Sequence, residues 1–492
     1  MIGRARATRC AALVAVALTM VALAGCGCSG PRPVDPPPAD PPPITPHVPD
    51  VRTIERLPNP LPQRGDPLAA FFRALRRVET GEPGAHAVVL QIGDSHTASD
   101  TWAGRARQLM QGRFGDGGRG YAYPGEPFRW FRQESMNFDE GGEWESTLGV
   151  MREWEQPLAF GGLRVTTVEE GAWLERGACP TCQLGQTWAE VRVHYLVVPD
   201  GGHFDVLIDG AVVETISTAA DPDEPFVELG VYTWSGDESD HIARVEAHGD
   251  GPIHITAFDT RSTNAGVVWS APGMNGARAD QWVQFDRDLS LDELAVIEPQ
   301  LVIAAFGTNE AYGDLYEVTD EQTMDDVEAK LRWYARQFGE LIDRIREGAP
   351  NASCIAVLSP DFYDTDDEGF CLPVAFDDAE LCITLPRPAL ARVAAVQREV
   401  AANQGCAVWD PQLAMGGPGS MSWGVQQDPP LGNDDGVHLT GAGYDLMAEL
   451  FIDDLMWAYD RYLEGEDATL TTTNRFPEFT VTLRDAGVTV AE

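Results

Sequence analysis

The stretch "AHAVVLQIGDSHTASD", residues 85–100, decides how the rest of the chain is read. Its first half is a continuous apolar run, as in a strand buried on both faces. Its second half breaks at Gly93 into a polar turn, and "TWAGRARQLM" follows with a helical pattern from about Ser99 to Phe114. A serine thus sits where a strand becomes a helix, with an aspartate before it and a histidine after it. Two readings fit Ser95: a helix N-cap, or a nucleophile set against the backbone N–H groups of the following helix.

Outward from this stretch the chain alternates strands and helices, stops doing so, and resumes. "DPLAAFFRALRRVE" precedes it as a helix. After the Gly-rich "GDGGRGYAYPG", residues 122–265 hold only strand-like segments, among them "AWLE", "AEVRVHYLVV", "HFDVLIDGAVVETI" and "ARVEAHGDGPIHITAFDT". Alternating faces between Gly, Pro and Asp turns read as a β-sandwich or jelly roll. From residue 266 strands and helices alternate again: "GVVWSAPGMNGA", "SLDELAVIEP", "QLVIAAFGTNEA", a long amphipathic helix from "TMDDVEAKLRW", "SCIAVLSP", "PRPALARVAAVQREVAANQ", "CAVWDP" and "GAGYDLMAELFIDDLMWAYDRYL". This is an α/β domain with a parallel sheet covered by helices on both faces. The all-β block interrupts it after the first strand–helix unit. The expected divisions are 1–25, 26–52, 53–121, 122–265, 266–464 and a tail at 465–492.

Ligands of an open α/β sheet bind at the carboxyl ends of its strands. Three such places carry chemistry. "GDS" ends the first strand with Ser95, and "GTN" ends the strand "LVIAAF" with Asn309. "DDGVHLTGAGY" precedes the last helix with Asp435 and His438. His438 is the only histidine after His254, so the C-terminal half offers one candidate base. Asp435, three residues earlier, can reach its imidazole on one turn, and Asp434 is the fallback. The Ser95 N–H and the Asn309 side-chain amide suit an oxyanion. Singly, each has a plainer reading as a cap or a turn. Rival motifs are missing: there is no G-x-S-x-G and no H-E-x-x-H. The single lysine, Lys330, lies within a helical pattern and excludes a P-loop.

"GDSH" at 93–96, "GTN" at 307–309 and "DGVH" at 435–438 resemble, in order, the motif blocks of the SGNH (GDSL-like) hydrolases. The resemblance implies a flavodoxin-like three-layer α/β/α fold. It makes Ser95 the nucleophile, His438 the base and Asp435 its orienting acid, with Ser95 and Asn309 in the oxyanion hole. The family's second block adds a glycine N–H, matched in "APGMNGA" by Gly276, with Gly273 as the alternative. "GDSHTASD", "RFGDGGRGYAYPG", "PGMNGARAD", "FGTNEAYG", "WDPQLAMGG" and "DGVHLTGAGY" together are similar to the peptidoglycan O-acetylesterases of Gram-negative bacteria. These carry a β-sandwich, like a carbohydrate-binding module, inserted at the same place. The likeness spans about residues 60–463. Where plain GDSL enzymes have Leu this chain has His96, expected to pack or hydrogen-bond beside the nucleophile rather than act as base. The implied activity removes acetyl groups from a cell-wall polysaccharide, peptidoglycan foremost, with no metal or organic cofactor. Its rivals are a glycan O-acetyltransferase, an esterase for another acetylated polysaccharide or lipid, and a non-catalytic glycan-binding surface lipoprotein.

Composition and the N-terminus set the compartment. The chain has 492 residues and a net charge of −42, from 77 acidic and 35 basic residues. So acidic a surface excludes nucleic acid as the expected partner. Arg4, Arg6 and Arg9 precede the short apolar run "CAALVAVALTMVALAG", which reads as an export signal. It ends in "LAGC", which resembles a bacterial lipobox and makes Cys26 the expected lipidation site. Gly27 after it points to the outer membrane, with the protein facing the periplasm. The Pro-rich "SGPRPVDPPPADPPPITPHVPD" then acts as a spacer. Cys354 with Cys406, and Cys371 with Cys382 across the polar loop they bracket, are possible bridges. "CPTC" at 179–182 lacks further zinc ligands and reads as a local disulfide.

Overall fold

The computed structural model describes residues 67–473, apart from 130, 152–156, 222–225, 313–314, 320, 366–371, 377–378 and 466–468. The leader with Cys26, the Pro-rich stretch, a Cys371–Cys382 bridge and most of the C-terminal tail lie outside the described residues.

Five parallel strands form the central sheet, in the spatial order Gly266–Ser270, His86–Gly93, Leu301–Ala305, Ser353–Val357, Ala407–Trp409. Numbered along the chain this is 2-1-3-4-5, the flavodoxin-like order. Both faces are buried, which explains the uninterrupted apolar strands. Ala87 and Val89 face one layer, with Trp102, Met110 and Phe451 from the helices Thr101–Phe114 and Gly441–Glu464. Val88, Leu90 and Ile92 face the other, with Tyr334, Phe338 and Val393 from Met324–Gly348 and Pro388–Gln404.

The helix Met324–Gly348 forms where the pattern places it. It buries Val327, Tyr334, Phe338, Leu341, Ile342 and Ile345 at three- and four-residue spacing. Thr323 Oγ1 accepts the Asp326 N–H while the Asp326 carboxylate accepts the Thr323 N–H, so two free donors are satisfied reciprocally at the N-terminus. Pro350 follows its C-terminal end. Cys354 and Cys406 form a disulfide beside two neighbouring sheet strands, and Cys179 and Cys182 form a second within one turn.

The inserted region folds as two antiparallel sheets. One runs Glu228–Ser239, Trp188–Val197, Ile253–Arg261, Leu163–Thr167, Glu145–Leu148, with Gly120–Ala122 also paired to Ile253–Arg261. The other runs Asn137–Gly141, Trp173–Gly177, Ile242–Ala247, His203–Ile208, Ala211–Ser217. Strand Ile253–Arg261 is buried at all nine positions. One face fills the sandwich, and the other meets the helix Arg287–Ile297 of the α/β domain. Arg192 donates to Val296 O and Arg261 to Ile297 O, both at 2.9 Å, which satisfies carbonyls left free at that helix's C-terminus. Glu293 Oε2 of the same helix accepts the Gly161 N–H at 2.8 Å.

Two local expectations change. The long helix begins at Thr101 rather than at about Ser99, because Asp100 adopts φ +52° and breaks it from a short turn at Ser95–Ala98. The polar stretch before residue 383, expected as a loop, contains the antiparallel pair Leu372–Phe376 and Ala379–Ile383.

Candidate active site

Parallel neighbours deliver their carboxyl ends to one edge of the sheet. The strand ending at Gly93 lies between the strands ending at Ser270 and Ala305, so the loops carrying Ser95, Gly276 and Asn309 converge. Gly93 permits the sharp exit. A Cβ there would stand 2.4 Å from Thr97 Oγ1 and 2.6 Å from Ala305 O. Asp94, not Ser95, is the N-cap: its Oδ1 accepts the His96 N–H at 3.0 Å. The Ser95 hydroxyl is left for other work.

His438 Nε2 lies 2.9 Å from Ser95 Oγ, and His438 Nδ1 lies 2.7 Å from Asp435 Oδ2. Asp435 Oδ1 accepts the backbone N–H groups of Val437 and His438, each at 2.9 Å. Burial pushes the Asp435 carboxyl up, but these N–H groups and the imidazole outweigh it and hold its pKa below the ordinary carboxylate value. Gly436 makes the turn possible. Its φ is +70°, and a Cβ there would stand 2.8 Å from Tyr363 O. The Tyr363 N–H donates to Gly436 O at 3.0 Å, so the loop after the fourth sheet strand holds the turn from outside. That loop is itself pinned by buried Asp361, which accepts the N–H groups of Gly419 and Met421 and the Gln412 side chain. Burial pushes Asp361 up to about 7.

Asn309 donates from Nδ2 to Ala277 O at 3.0 Å, which leaves its second N–H available. Gly276, on the same loop, adopts φ +78° with open space around it and lines the pocket with Ser95. Gly273, the alternative, packs behind: a Cβ there would meet Ala98 N at 2.6 Å. Glu310 braces the two loops, accepting Ala279 N–H at 2.7 Å and Gly307 N–H at 2.9 Å. Burial pushes its pKa up to about 7, and burial, with Glu310 nearby, pushes Asp94 up to about 8.

His96 is buried, with Nδ1 2.8 Å from the Tyr444 hydroxyl and its ring centroid 5.4 Å from that of His438. Burial foremost, then the neighbouring His438, pushes its pKa down to about 3. It is a neutral packing partner of the His438 ring.

These groups open into a pocket of about 860 Å³, the size of a small-molecule site. The structure thus brings together Ser95, Gly276, Asn309, Asp435 and His438. Its wall also contains Arg132 and Glu134, from the inserted region, which sequence reasoning missed. "FRWFRQE" carries a signal, aromatics alternating with arginines after a Gly-rich turn, but only the fold brings it to the site. Among the described residues no cluster of metal-ligating side chains is present.

Residues 219–446 match the model of the GDSL-like Lipase/Acylhydrolase family. The matched span starts within the sandwich, after Ser95, and takes in Gly276, Asn309, Asp435 and His438. No curated protein matches the chain. A solved structure described as "Peptidoglycan O-acetylesterase in action, 5 min" is 23% identical, covers 80% of this chain and 97% of its own, and has a TM-score of 0.62. It shows the fold. A family two carbohydrate esterase from Clostridium thermocellum, in complex with cellohexaose, is 11% identical over 61% of this chain and 95% of its own, with a TM-score of 0.24. An acetyl xylan esterase is 13% identical over 37% of this chain and 77% of its own, also at 0.24. The family match takes in the later strands of the parallel-sheet domain and the loops carrying Gly276, Asn309, Asp435 and His438, and the chain is a carboxylic ester hydrolase that is similar over residues 219–446 to the GDSL-like lipases and acylhydrolases.

Proposed function

We propose that the protein is a serine esterase that removes O-acetyl groups from a cell-wall polysaccharide, peptidoglycan foremost. The observation that carries the proposal is the unbroken line Ser95 Oγ, His438 Nε2, His438 Nδ1, Asp435 Oδ2 at the pocket wall, with steps of 2.9 and 2.7 Å across its two hydrogen bonds. The choice of glycan is supported by the likeness in fold, over most of both chains, to a peptidoglycan O-acetylesterase and by the sandwich fixed against the α/β domain.

Asp435 holds the imidazole with Nδ1 protonated and Nε2 free to accept. Ser95 Oγ attacks the acetyl carbonyl carbon while His438 Nε2 takes its proton. The oxyanion is held by the N–H groups of Ser95 and Gly276 and the second N–H of Asn309 Nδ2. The intermediate collapses, the C–O bond to the sugar breaks, and His438 returns the proton to the departing sugar hydroxyl. Water then attacks the acetyl-enzyme with His438 as base. Acetate leaves and Ser95 is restored. Each step balances with no cofactor.

The export reading belongs to the same proposal. Disulfides persist in oxidising compartments, and Cys354–Cys406 and Cys179–Cys182 fit one. Acyl attachment at Cys26 would hold the esterase to the envelope.

The test is acetate release from O-acetylated peptidoglycan, acetylated xylan and a short reporter ester, by the folded protein and by Ser95→Ala. Release from peptidoglycan, lost by about a thousandfold or more in the variant, is expected. Full activity in Ser95→Ala refutes the site, and preference for xylan refutes the substrate.

A further inference from the structure

One wall of the catalytic pocket comes from the inserted region. Arg132 and Glu134 line the pocket together with Ser95. Their segment is fastened along its length. Asn275 Nδ2, beside Gly276, donates to Arg129 O at 3.2 Å. Gln133 Nε2 donates to Tyr123 O at 3.2 Å. The Glu134 N–H donates to Asp100 Oδ2 at 2.7 Å, and Arg107 Nη2 donates to Glu134 O at 3.2 Å. Phe131 packs inward, its ring centroid 5.1 Å from that of Phe128 and 6.1 Å from that of Tyr123. Arg132 is exposed on a backbone that cannot move freely.

The state of that guanidinium is unusual for this chain. Acidic residues outnumber basic ones 77 to 35. Other arginines around the site are paired: Arg107 and Arg119 with Asp100, Arg278 with Asp280. Among the described residues no carboxylate lies within ion-pair distance of Arg132. Its neighbour Glu134 instead meets Gln108 Nε2 at 3.3 Å. An arginine left unpaired at the edge of a reaction pocket, on a braced segment, has its guanidinium donors free to receive an anion.

We infer that Arg132 is a specificity-determining residue that binds a carboxylate carried by the acetylated glycan close to the scissile ester. The inference rests on the esterase reading above. A carboxylate fits better than a phosphate dianion, because the pocket also presents the acidic side chains of Glu134 and Asp435. One cation against two acids accommodates a monoanion. The carboxylate has two sources in cell-envelope glycans: the acid group of a sugar ring, or that of a peptide or acyl substituent on the sugar.

The test crosses the charge of the residue with the charge of the substrate. An O-acetylated glycan is used with its carboxyls free and with the same carboxyls converted to methylamides, against the parent protein, Arg132→Gln and Arg132→Lys. The parent is expected to lose about tenfold in kcat/KM when the carboxyls are blocked, the scale of one charge-assisted contact. Arg132→Gln is expected to discriminate less than twofold, and Arg132→Lys to fall between. Rising salt should raise KM for the free-acid substrate in the parent more than in Arg132→Gln. Peptidoglycan with its stem peptides kept or removed, beside an acetylated polyuronate, separates the two carboxylate sources. Acetate release with equal discrimination by parent and Arg132→Gln overturns the inference and leaves the esterase reading standing. No acetate release from either form overturns both.

Discussion

Asp435 and His438, three residues apart, are joined twice: Oδ1 accepts the His438 N–H at 2.9 Å, and Oδ2 faces Nδ1 at 2.7 Å. One carboxylate therefore shapes the turn and orients the imidazole. The pair is not sealed from water, since the Asp435 side chain is 49% exposed. Solvent can replace part of what the carboxylate does, so its electrostatic share is smaller than for a buried acid.

Asp435→Ala should lower kcat by about 10²–10³-fold, less than Ser95→Ala or His438→Ala. Asp435→Asn retains acceptance of the two N–H groups and should fold normally, yet fall by a similar factor because it supports the wrong tautomer. Steady-state kinetics on the reporter ester, with circular dichroism as the control, decides it. Activity within twofold of the parent in Asp435→Ala would assign the orienting role elsewhere.

His96 stands beside Ser95 and is a tempting base, but its burial keeps it neutral and its Nδ1 is taken up by Tyr444. His96→Leu should keep kcat within about fivefold. It should cost about 1–3 kcal/mol of stability, because the buried Tyr444 hydroxyl loses its partner. A loss as deep as that of His438→Ala would make His96 part of the chemistry.

The uneven legibility of the sequence follows from which interactions are local. The strands of the central sheet could be read because both their faces are buried, and the contact between Asp435 and His438 could be read because the two lie one turn apart. Period alone also marked Trp188–Val197, His203–Ile208 and Ile242–Ala247 as one-sided strands. The short strands Asn137–Gly141 and Glu145–Leu148 were not legible: they are mostly polar and have no fully buried position, held by pairing rather than by an apolar face. Asp94 takes the cap, one of the two readings open for Ser95, and this depends on the turn at Ser95–Ala98 closing. Glu310, Arg132 and Glu134 were invisible as site residues because their partners or neighbours lie far off in sequence.

Stability should depend on pH through Asp361. Its folded-state pKa, about 7, is raised by burial above the ordinary carboxylate value of 3.8. The folded state therefore holds a proton that the unfolded chain releases from about pH 4 upward. The contribution of this group is full below that value and is lost as pH rises toward 7. The parent should lose stability relative to Asp361→Asn across that window, on the order of 1–4 kcal/mol. Chemical denaturation of both proteins between pH 4 and 8 measures it. A difference that is flat with pH, or that grows in favour of the parent, contradicts a buried protonated Asp361.

Asp100 ties the pocket wall to the α/β domain. It is buried, receives Arg107 on both oxygens at 3.1 Å and Arg119 at 3.2 Å, and accepts the Glu134 N–H. Burial alone would raise its pKa, and the two guanidinium groups more than offset this. Removing the charge leaves two buried cations facing each other, so Asp100→Asn should cost about 3–5 kcal/mol. Its φ of +52° is one that Asn tolerates and Ala does not, so Asp100→Ala should cost about 1 kcal/mol more. The same change frees the backbone that presents Arg132. KM for an acidic substrate should then rise more than kcat falls, in whatever fraction of Asp100→Asn remains folded. Equal stability of Asn and parent would mean that the arginines find other partners. An unchanged KM beside a clear loss of stability would mean that the Phe131 packing alone holds the wall in place.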